Sequence, residues 1–552
     1  MRPEPLSRRA LVLAMLALAV LALPFADLAV SAHAPWAALA RMGQGLLHPD
    51  FAAIEDLGAA TARTLAFALA GVAVGAVAGL ICAPFYAFRP LRAVLIGLRS
   101  VHELFWALLL MQVTGLSPTT GVLAIALPYA GVFAKVFAEL IEEADPAPAR
   151  VLPPGVDAFS RFLFARAPLV AADMWSYILY RVECGLRSSA VLGFIGLPTL
   201  GFQLDSFFRI GNYGAVGAVL MIYIALVVTI RHWMRLALVP LWLVASLWVL
   251  GGVSTPPMGA GALWRFFTVD IVPAPLREGH WADLPDWLGP IVTGQILPAT
   301  LITLIVAQLA LVATGALAFG GFSVLVRQVA GFAVWPARFV TIVLRTIPEY
   351  MLAYLFLQIL GPSMLPVILA LAIHNGAIIA HLLSREAEGI LAGLRPDAPR
   401  GAALWGYELA PRLFGRFLAL SLYRWEMILR ETAVMGLLGV ATLGFYLDSA
   451  LATLRLDRAL MLILAIAALT AAIDALSKAL RGRLGAASLS LVQNRSDTRI
   501  SGVAPTSPAV TEMGANTQAR ACVPREMQEH LTSALSDRET RFGLQSLLRQ
   551  SR

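Results

Sequence analysis

Lysine is almost absent from this chain of 552 residues, where it occurs only as Lys135 and Lys478. Neither lysine follows a glycine, which excludes the phosphate-binding loop GxxxxGK[ST] by which many nucleotide hydrolases hold ATP. The motifs GxSxG, HExxH and CxxC of esterases, zinc proteases and redox proteins are absent as well. We therefore expect no enzyme of a motif-recognisable class and no cofactor bound by this chain itself.

Cysteine and charge are also scarce. The three cysteines, Cys82, Cys184 and Cys522, lack the spacing of a disulfide framework or a zinc site. Charged residues make up 14% of the chain and hydrophobic residues 59%, against roughly 45 to 50% apolar residues in soluble domains. Most of the chain is therefore expected to lie in a lipid membrane. The net charge of +8 is better explained by cations flanking membrane segments than by nucleic-acid binding, which is not expected.

A segment of 27 residues occurs twice, at 180–206 and at 423–449, with 16 identical positions and no gap. Apolar positions of a membrane helix tolerate exchange, but here charged residues and glycines also match. The matching pairs are Tyr180/Tyr423, Arg181/Arg424, Glu183/Glu426, Arg187/Arg430, Gly193/Gly436, Gly196/Gly439 and Gly201/Gly444. Such a repeat indicates a duplicated architecture.

Apolar runs long enough to cross a bilayer, which takes about 20 helical residues, predict six spans in each half. We expect spans at 11–30, 61–87, 94–115, 121–138, 175–196 and 214–230, and again at 236–250, 291–324, 340–360, 366–383, 418–439 and 459–476. The predicted fold class is an all-α polytopic membrane protein with about 12 helices. Its expected domains are two repeats, 1–233 and 234–485, and a polar, disordered tail, 486–552.

The number of spans also predicts the orientation. Six spans per repeat leave both repeats facing the same way. Segments expected on the inner side are rich in Arg and Lys, whereas outer segments contain few, so both termini are predicted to be cytoplasmic. The alternative for the run 11–30, a signal peptide cleaved near residues 32–34, is less favoured because the later spans count correctly only if the run is retained. The outer segment 253–290 is expected to be a lid or a plain connector.

Charges inside spans are costly and need an explanation. Six of them fall in the repeated segments: Arg181, Glu183, Arg187, Arg424, Glu426 and Arg430. In each repeat the glutamate and the second arginine lie four residues apart, on one helix face. One hypothesis is that these pairs neutralise themselves and the first arginine extends to the inner surface. The other is that the arginines line a translocation path and attract an anion.

A second set of charges repeats in the third and ninth predicted spans. Arg99 and Glu103 match Arg345 and Glu349, again four residues apart. Two hypotheses remain open for them, a local salt bridge at the membrane surface and a gate near the inner end of the path.

The inner loops before the fifth and eleventh spans, 139–167 and 384–410, end in Ala-Pro at Pro168 and Pro411. A long loop of mixed charge at the same place in both halves is typical of a docking site for a cytoplasmic partner.

Several of these patterns together resemble the permease subunit of phosphonate-type ABC importers. The first pattern is RSVHE at 99–103, with its counterpart RTIPE at 345–349. The second is KVFAELIEEADPAP at 135–148. The third is the series YRVE, R, VLGFIG and LGF within 180–202, which has a second copy in the other half. The resemblance covers most of each half, so the chain resembles two such permeases fused in tandem.

The resemblance implies a function and partners. In that family two permease copies form the membrane pathway, cytoplasmic ATPase subunits bind and hydrolyse ATP, and a periplasmic binding protein delivers the solute. The chain is then expected to carry a small oxyanion, phosphonate or else phosphite or phosphate, by alternating access.

The resemblance further implies an ATPase-coupling helix in each inner loop. Gly155, 13 residues before Pro168, matches the coupling-loop glycine of the family, although two prolines precede it where the family has helix formers. Gly401 lies only ten residues before Pro411. We therefore expect a shortened or displaced coupling helix in the second half.

Two readings from other classes remain. An ion- or proton-coupled secondary transporter would use the Glu and Arg pairs and need no ATPase. A membrane enzyme or scaffold would need polar catalytic groups at one depth, but the histidines within spans, His102, His374 and His381, are predicted to pack or to cap helices.

Overall fold

The computed structural model describes residues 7–31, 35–145, 147–153, 155–255, 259, 261–395 and 397–484. The predicted tail, 486–552, and the alternative cleavage site, 32–34, lie outside these residues. Within the described part, 18 helices of eight residues or more form the fold and no β-strand occurs. The predicted all-α polytopic membrane class is confirmed.

The helices follow the repeat. Those of the first half are α1 Arg8–Ala22, α2 Pro35–Leu47, α3 Leu57–Cys82, α4 Arg89–Ser100, α5 Glu103–Thr114, α6 Pro118–Glu143, α7 Ala167–Val191, α8 Leu200–Ile210 and α9 Tyr213–Trp233. Those of the second half are α10 Val239–Gly251, α11 Leu284–Ile291, α12 Leu297–Val324, α13 Val334–Thr346, α14 Glu349–Leu360, α15 Met364–Leu391, α16 Ala410–Val434, α17 Leu443–Ala452 and α18 Leu456–Arg483. Helices α3 to α9 have counterparts in α12 to α18.

The number of spans differs from the prediction. By length and composition, eight helical segments of the described chain suit a membrane span, or eleven if each of three bent helix pairs counts as one. Two predicted spans do not match. The seventh corresponds to the apolar helix Leu236–Gly251, which falls short of the ~20 residues that cross a bilayer. The ninth, 340–360, is divided between a stretch that ends at Thr346 and the short helix Glu349–Leu360. The described chain thus contains eight to eleven candidate spans, against about 12 predicted helices.

The third predicted span, 94–115, is not one continuous helix. Helices α4 and α5 meet at 97°. At the break the His102 side chain accepts a hydrogen bond from the Leu104 N–H at 3.2 Å and so caps α5, as predicted for a capping histidine. Its counterpart position is Pro348, which precedes α14 and cannot donate a main-chain hydrogen bond. The breaks turn the following glutamates, Glu103 and Glu349, toward the centre of the protein.

Close packing of α3 on α6 depends on small residues. A Cβ atom at Gly71 would lie 2.7 Å from Ile125 Cβ, and one at Gly75 would lie 2.9 Å from Tyr129 Cβ. Glycines spaced four apart let two helix backbones approach closely in lipid, where van der Waals packing replaces the hydrophobic driving force. The equivalent helices α12 and α15 also pack along their lengths.

The first helix of each half packs on the other half. Helix α1 lies against α12, where the Gln308 side-chain amide donates to the Met15 carbonyl at 2.9 Å, and α10 lies against α3. The outward faces of α1 and α10 expose large apolar side chains, including Leu21 and Trp248, as expected for lipid contact. Each half therefore packs its first helix against the other half.

The segment between the halves contains short helical pieces. Ala262–Arg265, Ala274–Arg277 and a π-helical turn at Phe266–Asp270 precede α11. Part of this segment borders a cavity of about 490 Å³ whose lining includes Arg265, Arg277 and Arg455. The segment thus has structure of its own, which a plain connector would not require.

Candidate functional site

A cavity of about 100 Å³ lies between the two halves. It is bordered by α7 and α16, by the N-terminal ends of α5 and α14, and by the middle of α6 and α15. Its charged lining residues are Arg181, Arg187, Arg424, Arg430, Glu103, Glu349 and Glu431. Pockets for drug-sized ligands measure roughly 300–1,000 Å³, so this cavity suits a smaller solute.

Helical spacing explains the lining that α7 and α16 supply. In α16, Arg424, Met427 and Glu431 follow one another at three and four residues and therefore share one helix face. The equivalent positions of α7 have the same spacing. Because the two helices face each other across the interface, the repeated segment supplies both walls of one site.

Arg181 is surrounded by tyrosines. Its Nε and Nη2 atoms donate to Tyr177 Oη at 2.9 and 2.6 Å. Its guanidinium carbon lies between 5.1 and 5.7 Å from the ring centroids of Tyr129, Tyr177 and Tyr180. Aromatic faces attract a cation without neutralising it. Arg181 therefore keeps its positive charge available to the cavity.

The second arginine of each repeat binds across the interface. Arg187 Nη1 donates to the main-chain oxygen of Arg345 at 3.4 Å, and Arg430 Nη1 donates to that of Arg99 at 2.7 Å. Both carbonyls lie at helix C-terminal ends, where main-chain oxygens lack helical partners and carry partial negative charge. The same contact occurs twice with the halves exchanged, which indicates a pseudo-twofold arrangement.

The predicted pairing within each helix, Glu183 with Arg187 and Glu426 with Arg430, is wrong. Within the described residues none of the four cavity arginines has a carboxylate oxygen within 4.0 Å. Arg187 and Arg430 turn instead toward the helix ends of the opposite half, whose unsatisfied carbonyls need donors.

The acidic residues of the cavity have neutral or histidine neighbours. Glu103 accepts a hydrogen bond from Ser188 Oγ at 2.6 Å, and its Oε2 lies 3.7 Å from His102 Nδ1. In the second half, Glu349 Oε2 lies 3.7 Å from His374 Nε2.

Glu431 has a partner of its own. Its Oε2 accepts from Asn375 Nδ2 at 2.8 Å, and Asn375 Oδ1 accepts from Arg424 Nη1 at 3.4 Å. One amide thus separates the carboxylate from the arginine and holds both at the cavity wall.

Arg99 joins the two halves through a buried network outside the cavity. Its Nη1 lies 2.9 Å from Glu426 Oε1, and its Nη2 lies 2.7 Å from Asp474 Oδ2. Lys478 Nζ binds the same aspartate oxygen at 2.7 Å. The local pair predicted for Arg99 and Glu103 is therefore wrong, because Arg99 finds two carboxylates on α16 and α18 of the other half.

The equivalent contact is missing from the other side of the interface. Arg345 and Glu183, the counterparts of Arg99 and Glu426, form no ion pair within 4.0 Å in the described chain, and the predicted pairing of Arg345 with Glu349 is wrong as well. Helix α9 has Arg231 where α18 has Asp474, counted from their N termini. Within the described residues the network is therefore one-sided.

The glycines of the repeat form a tight turn after each charged helix. Gly196 and Gly439 have φ of 95° and 92°, in the left-handed region that favours glycine. Cβ atoms at Gly201 and Gly444 would collide with main-chain oxygens of the preceding helix, those of Ala190 and Ala433. The turns lead into α8 and α17 at bends of 54° and 49°.

The loop residues assigned to ATPase coupling occupy matching places. Gly155 and Gly401 have positive φ, of 104° and 65°. Pro168 and Pro411 are the second residues of α7 and α16, each preceded by a π-helical turn, Phe162–Arg166 and Leu404–Leu409.

The two loops differ in length and content. Helices α6 and α15 continue to Glu143 and Leu391, so the connections are shorter than predicted. The first contains the pieces Ala147–Arg150 and Ala158–Arg161, whereas the described part of the second contains only Gly401–Ala403 before its π-helical turn. This difference accompanies the predicted loss of residues from the second loop.

Six of the ten charged residues predicted for a path or gate line the cavity, and four do not. The four outside it are Arg99, Glu183, Arg345 and Glu426. Sequence reasoning missed several lining residues: His102, His374, Tyr129, Ser188 and Glu431. These residues differ between the two repeats, so the repeat does not single them out, although Glu431 shares the helical face of Arg424.

Comparison with known proteins decides the family. The chain is 33% identical over 200 residues to the phosphite transport system permease protein PtxC of Stutzerimonas stutzeri, covering 72% of that relative and 34% of this chain. It belongs to the ABC-importer permease family. The phosphate-import permease protein PhnE of Mycolicibacterium smegmatis is 29% identical over 466 residues, covering 85% of the relative and 78% of this permease.

Other comparisons add detail. The putative cryptic phosphonate transport system permease protein PhnE2 of Escherichia coli is 31% identical to this chain over 83 residues, which cover 68% of that relative and 15% of this chain. No protein-family profile matches the permease, and neither does a solved structure. The match of 466 residues is longer than either repeat and so spans both, whereas the match to PtxC is about the length of one. A tandem permease fits both lengths.

Proposed function

We propose that this permease forms the translocation path of an ATP-driven importer for a small oxyanion of the phosphonate, phosphite or phosphate type. The observation that carries the proposal is the cavity between the repeats, whose four arginines have no carboxylate within 4.0 Å in the described chain. Guanidinium groups bind phosphate-type oxygens with paired hydrogen bonds and remain charged. The relatives named for phosphate, phosphite and phosphonate transport support the same solute class.

In this proposal the chain performs no chemistry. Separate cytoplasmic subunits bind and hydrolyse ATP, a periplasmic protein delivers the oxyanion, and this chain holds no cofactor. The repeats, 1–233 and 234–485, alternate access in an inner membrane, with both termini on the cytoplasmic side. The ATPase docks at the loops that contain Gly155 and Gly401, and the shorter second loop makes its docking unequal.

The arginine environment favours passage over tight binding. Arg181 is held by tyrosines and Arg424 by an amide, so an entering anion need not break a buried ion pair. Arg187 and Arg430 hold helix ends of the opposite half, and these contacts must change if the halves move relative to each other. Solute binding and movement of the halves would then use the same arginines.

Replacing Arg181 or Arg424 by methionine is expected to lower solute-stimulated ATP hydrolysis roughly tenfold or more, because each removes a charge-assisted hydrogen bond to the oxyanion. The measurement uses the permease in liposomes with its co-purified ATPase and binding protein, comparing phosphonate, phosphite and phosphate. Arg209→Met is the matched control, since that arginine is exposed and pairs with Asp205 on the surface.

Two results would contradict the proposal. Solute uptake in liposomes without any ATPase would favour a secondary transporter. Full activity of both arginine variants would mean that the solute does not pass the cavity.

A further inference from the structure

The carboxylate of Glu349 borders the cavity without a donor from another side chain. The residue is only 9% exposed, and no described side chain donates a hydrogen bond to it. The distance to His374 Nε2, 3.7 Å, is too long for a hydrogen bond. Burying a carboxylate is costly unless donors satisfy its oxygens. Its own main-chain N–H donates to it, and the carboxylate keeps accepting capacity for a further donor.

The first repeat shows what is missing. There the equivalent residue, Glu103, accepts from Ser188 Oγ at 2.6 Å. The position of Ser188 is occupied by Glu431 in the second repeat. An ionised carboxylate only accepts, and Glu431 takes its own hydrogen bond from Asn375. The exchange of serine for glutamate has removed the donor that Glu349 would otherwise have.

We infer that the solute supplies this donor: the cavity selects a tetrahedral oxyanion that retains one O–H group. Its charged oxygens bind the arginines and its hydroxyl donates to Glu349. The inference rests on the proposed function and adds to it the residue that disfavours an oxyanion without an O–H group.

Phosphate-type anions fit this description and sulfate does not. The last proton of a phosphate monoester leaves near pH ~6. Inorganic phosphate has one ionisable O–H group more than a monoester, so it keeps an O–H group at neutral pH. Sulfate is fully ionised there and presents only acceptors. In a cavity of about 100 Å³ such an anion would also face the carboxylates of Glu103, Glu349 and Glu431 without a proton to share.

Direct binding tests the inference. The full chain in nanodiscs is equilibrated with radiolabelled phosphate in buffer of neutral pH at constant ionic strength, and unlabelled methylphosphonate, phosphite or sulfate is added as competitor. We expect methylphosphonate and phosphite to displace the labelled phosphate. Sulfate should bind more weakly by roughly tenfold or more, because it leaves a buried acceptor unsatisfied.

Two variants should remove the selectivity. Glu431→Ser copies the first repeat and returns a hydroxyl donor to Glu349, and Glu349→Gln provides an amide donor in place of the carboxylate. In both variants we expect the affinity for sulfate to rise roughly tenfold relative to the affinity for phosphate. The control is Glu183→Gln, a carboxylate of α7 that does not line the cavity, and its selectivity should equal that of the unaltered chain.

The outcomes separate the two proposals. Equal displacement by sulfate and methylphosphonate in the unaltered chain would overturn this inference and leave the oxyanion path standing. Selectivity that survives in both variants would also overturn it, and would point to a proton shared between Glu349 and Glu431. Absence of phosphate binding would overturn the anion cavity itself, and with it both proposals.

Discussion

Replacing Arg99 by methionine should destabilise the permease by about 3–5 kcal/mol, because the buried Glu426 then loses its cation and Asp474 loses one of its two. Arg99, Glu426 and Asp474 are each no more than 7% exposed. The same substitution of the repeat counterpart, Arg345→Met, should cost about 1 kcal/mol or less, since no carboxylate depends on that side chain within the described residues. Chemical denaturation of both purified variants in mixed micelles measures the difference.

A third variant tests whether charge is the cause. Replacing all three residues together, with Arg99→Met, Glu426→Met and Asp474→Leu, should recover much of the lost stability, because apolar residues of similar volume often replace a buried ionic network at little cost. Equal losses in Arg99→Met and Arg345→Met would show that the network does not stabilise one side of the interface more than the other.

Substituting Gly444 by alanine should cost about 3 kcal/mol or more, the upper end of the cost of overpacking a core. The new Cβ would collide with the main-chain oxygen of Ala433 and lie 2.8 Å from Phe105 Cζ in the other half. A main-chain atom cannot move aside as the end of a flexible side chain can. Gly201→Ala should have a similar effect, because the first repeat has the same collision with Ala190. Loss of solute-stimulated ATP hydrolysis is expected together with the loss of stability.

Gly97 supplies the control for both glycine variants. It lies within α4, and nothing lies within 4 Å of a Cβ built on it. Gly97→Ala should therefore be neutral or stabilise the protein by about 0.5–1 kcal/mol, since alanine is the better helix former. If Gly444→Ala and Gly97→Ala melt alike, the turn is more adaptable than its geometry indicates.

The interface between the repeats combines symmetric and asymmetric contacts. The contacts of Arg187 and Arg430 with opposite helix ends are related by the repeat. The Arg99 network and the Glu431 position are not, because Asp474 and Glu431 have no acidic counterparts in the first half. Once two permease copies share one chain, each position can change alone. The unequal halves are where solute preference and resting conformation are expected to be set.

Much of the membrane architecture was predictable from the chain. The repeat at 180–206 and 423–449 predicted a matching pair of helices. The length of the apolar runs predicted where most helices lie, because in lipid every main-chain polar group of a span must bond within its own helix. The bend after Arg99 was not predictable, since 94–115 is apolar enough for one continuous span and the break depends on a histidine cap. Six of the predicted path residues do line the cavity, because charge inside a span must face the protein interior.

The sequence by itself determined the all-α membrane class, the duplication and the arginines that need an interior position, since hydropathy and helical period act along the chain. Only the tertiary structure decided which charges meet. Arg99 and Glu103 are neighbours in sequence, yet Arg99 binds Glu426 and Asp474, more than 300 residues away. Helix packing sets such partners: a buried guanidinium pairs with the carboxylates that neighbouring helices place beside it, and spacing within one helix cannot reveal them.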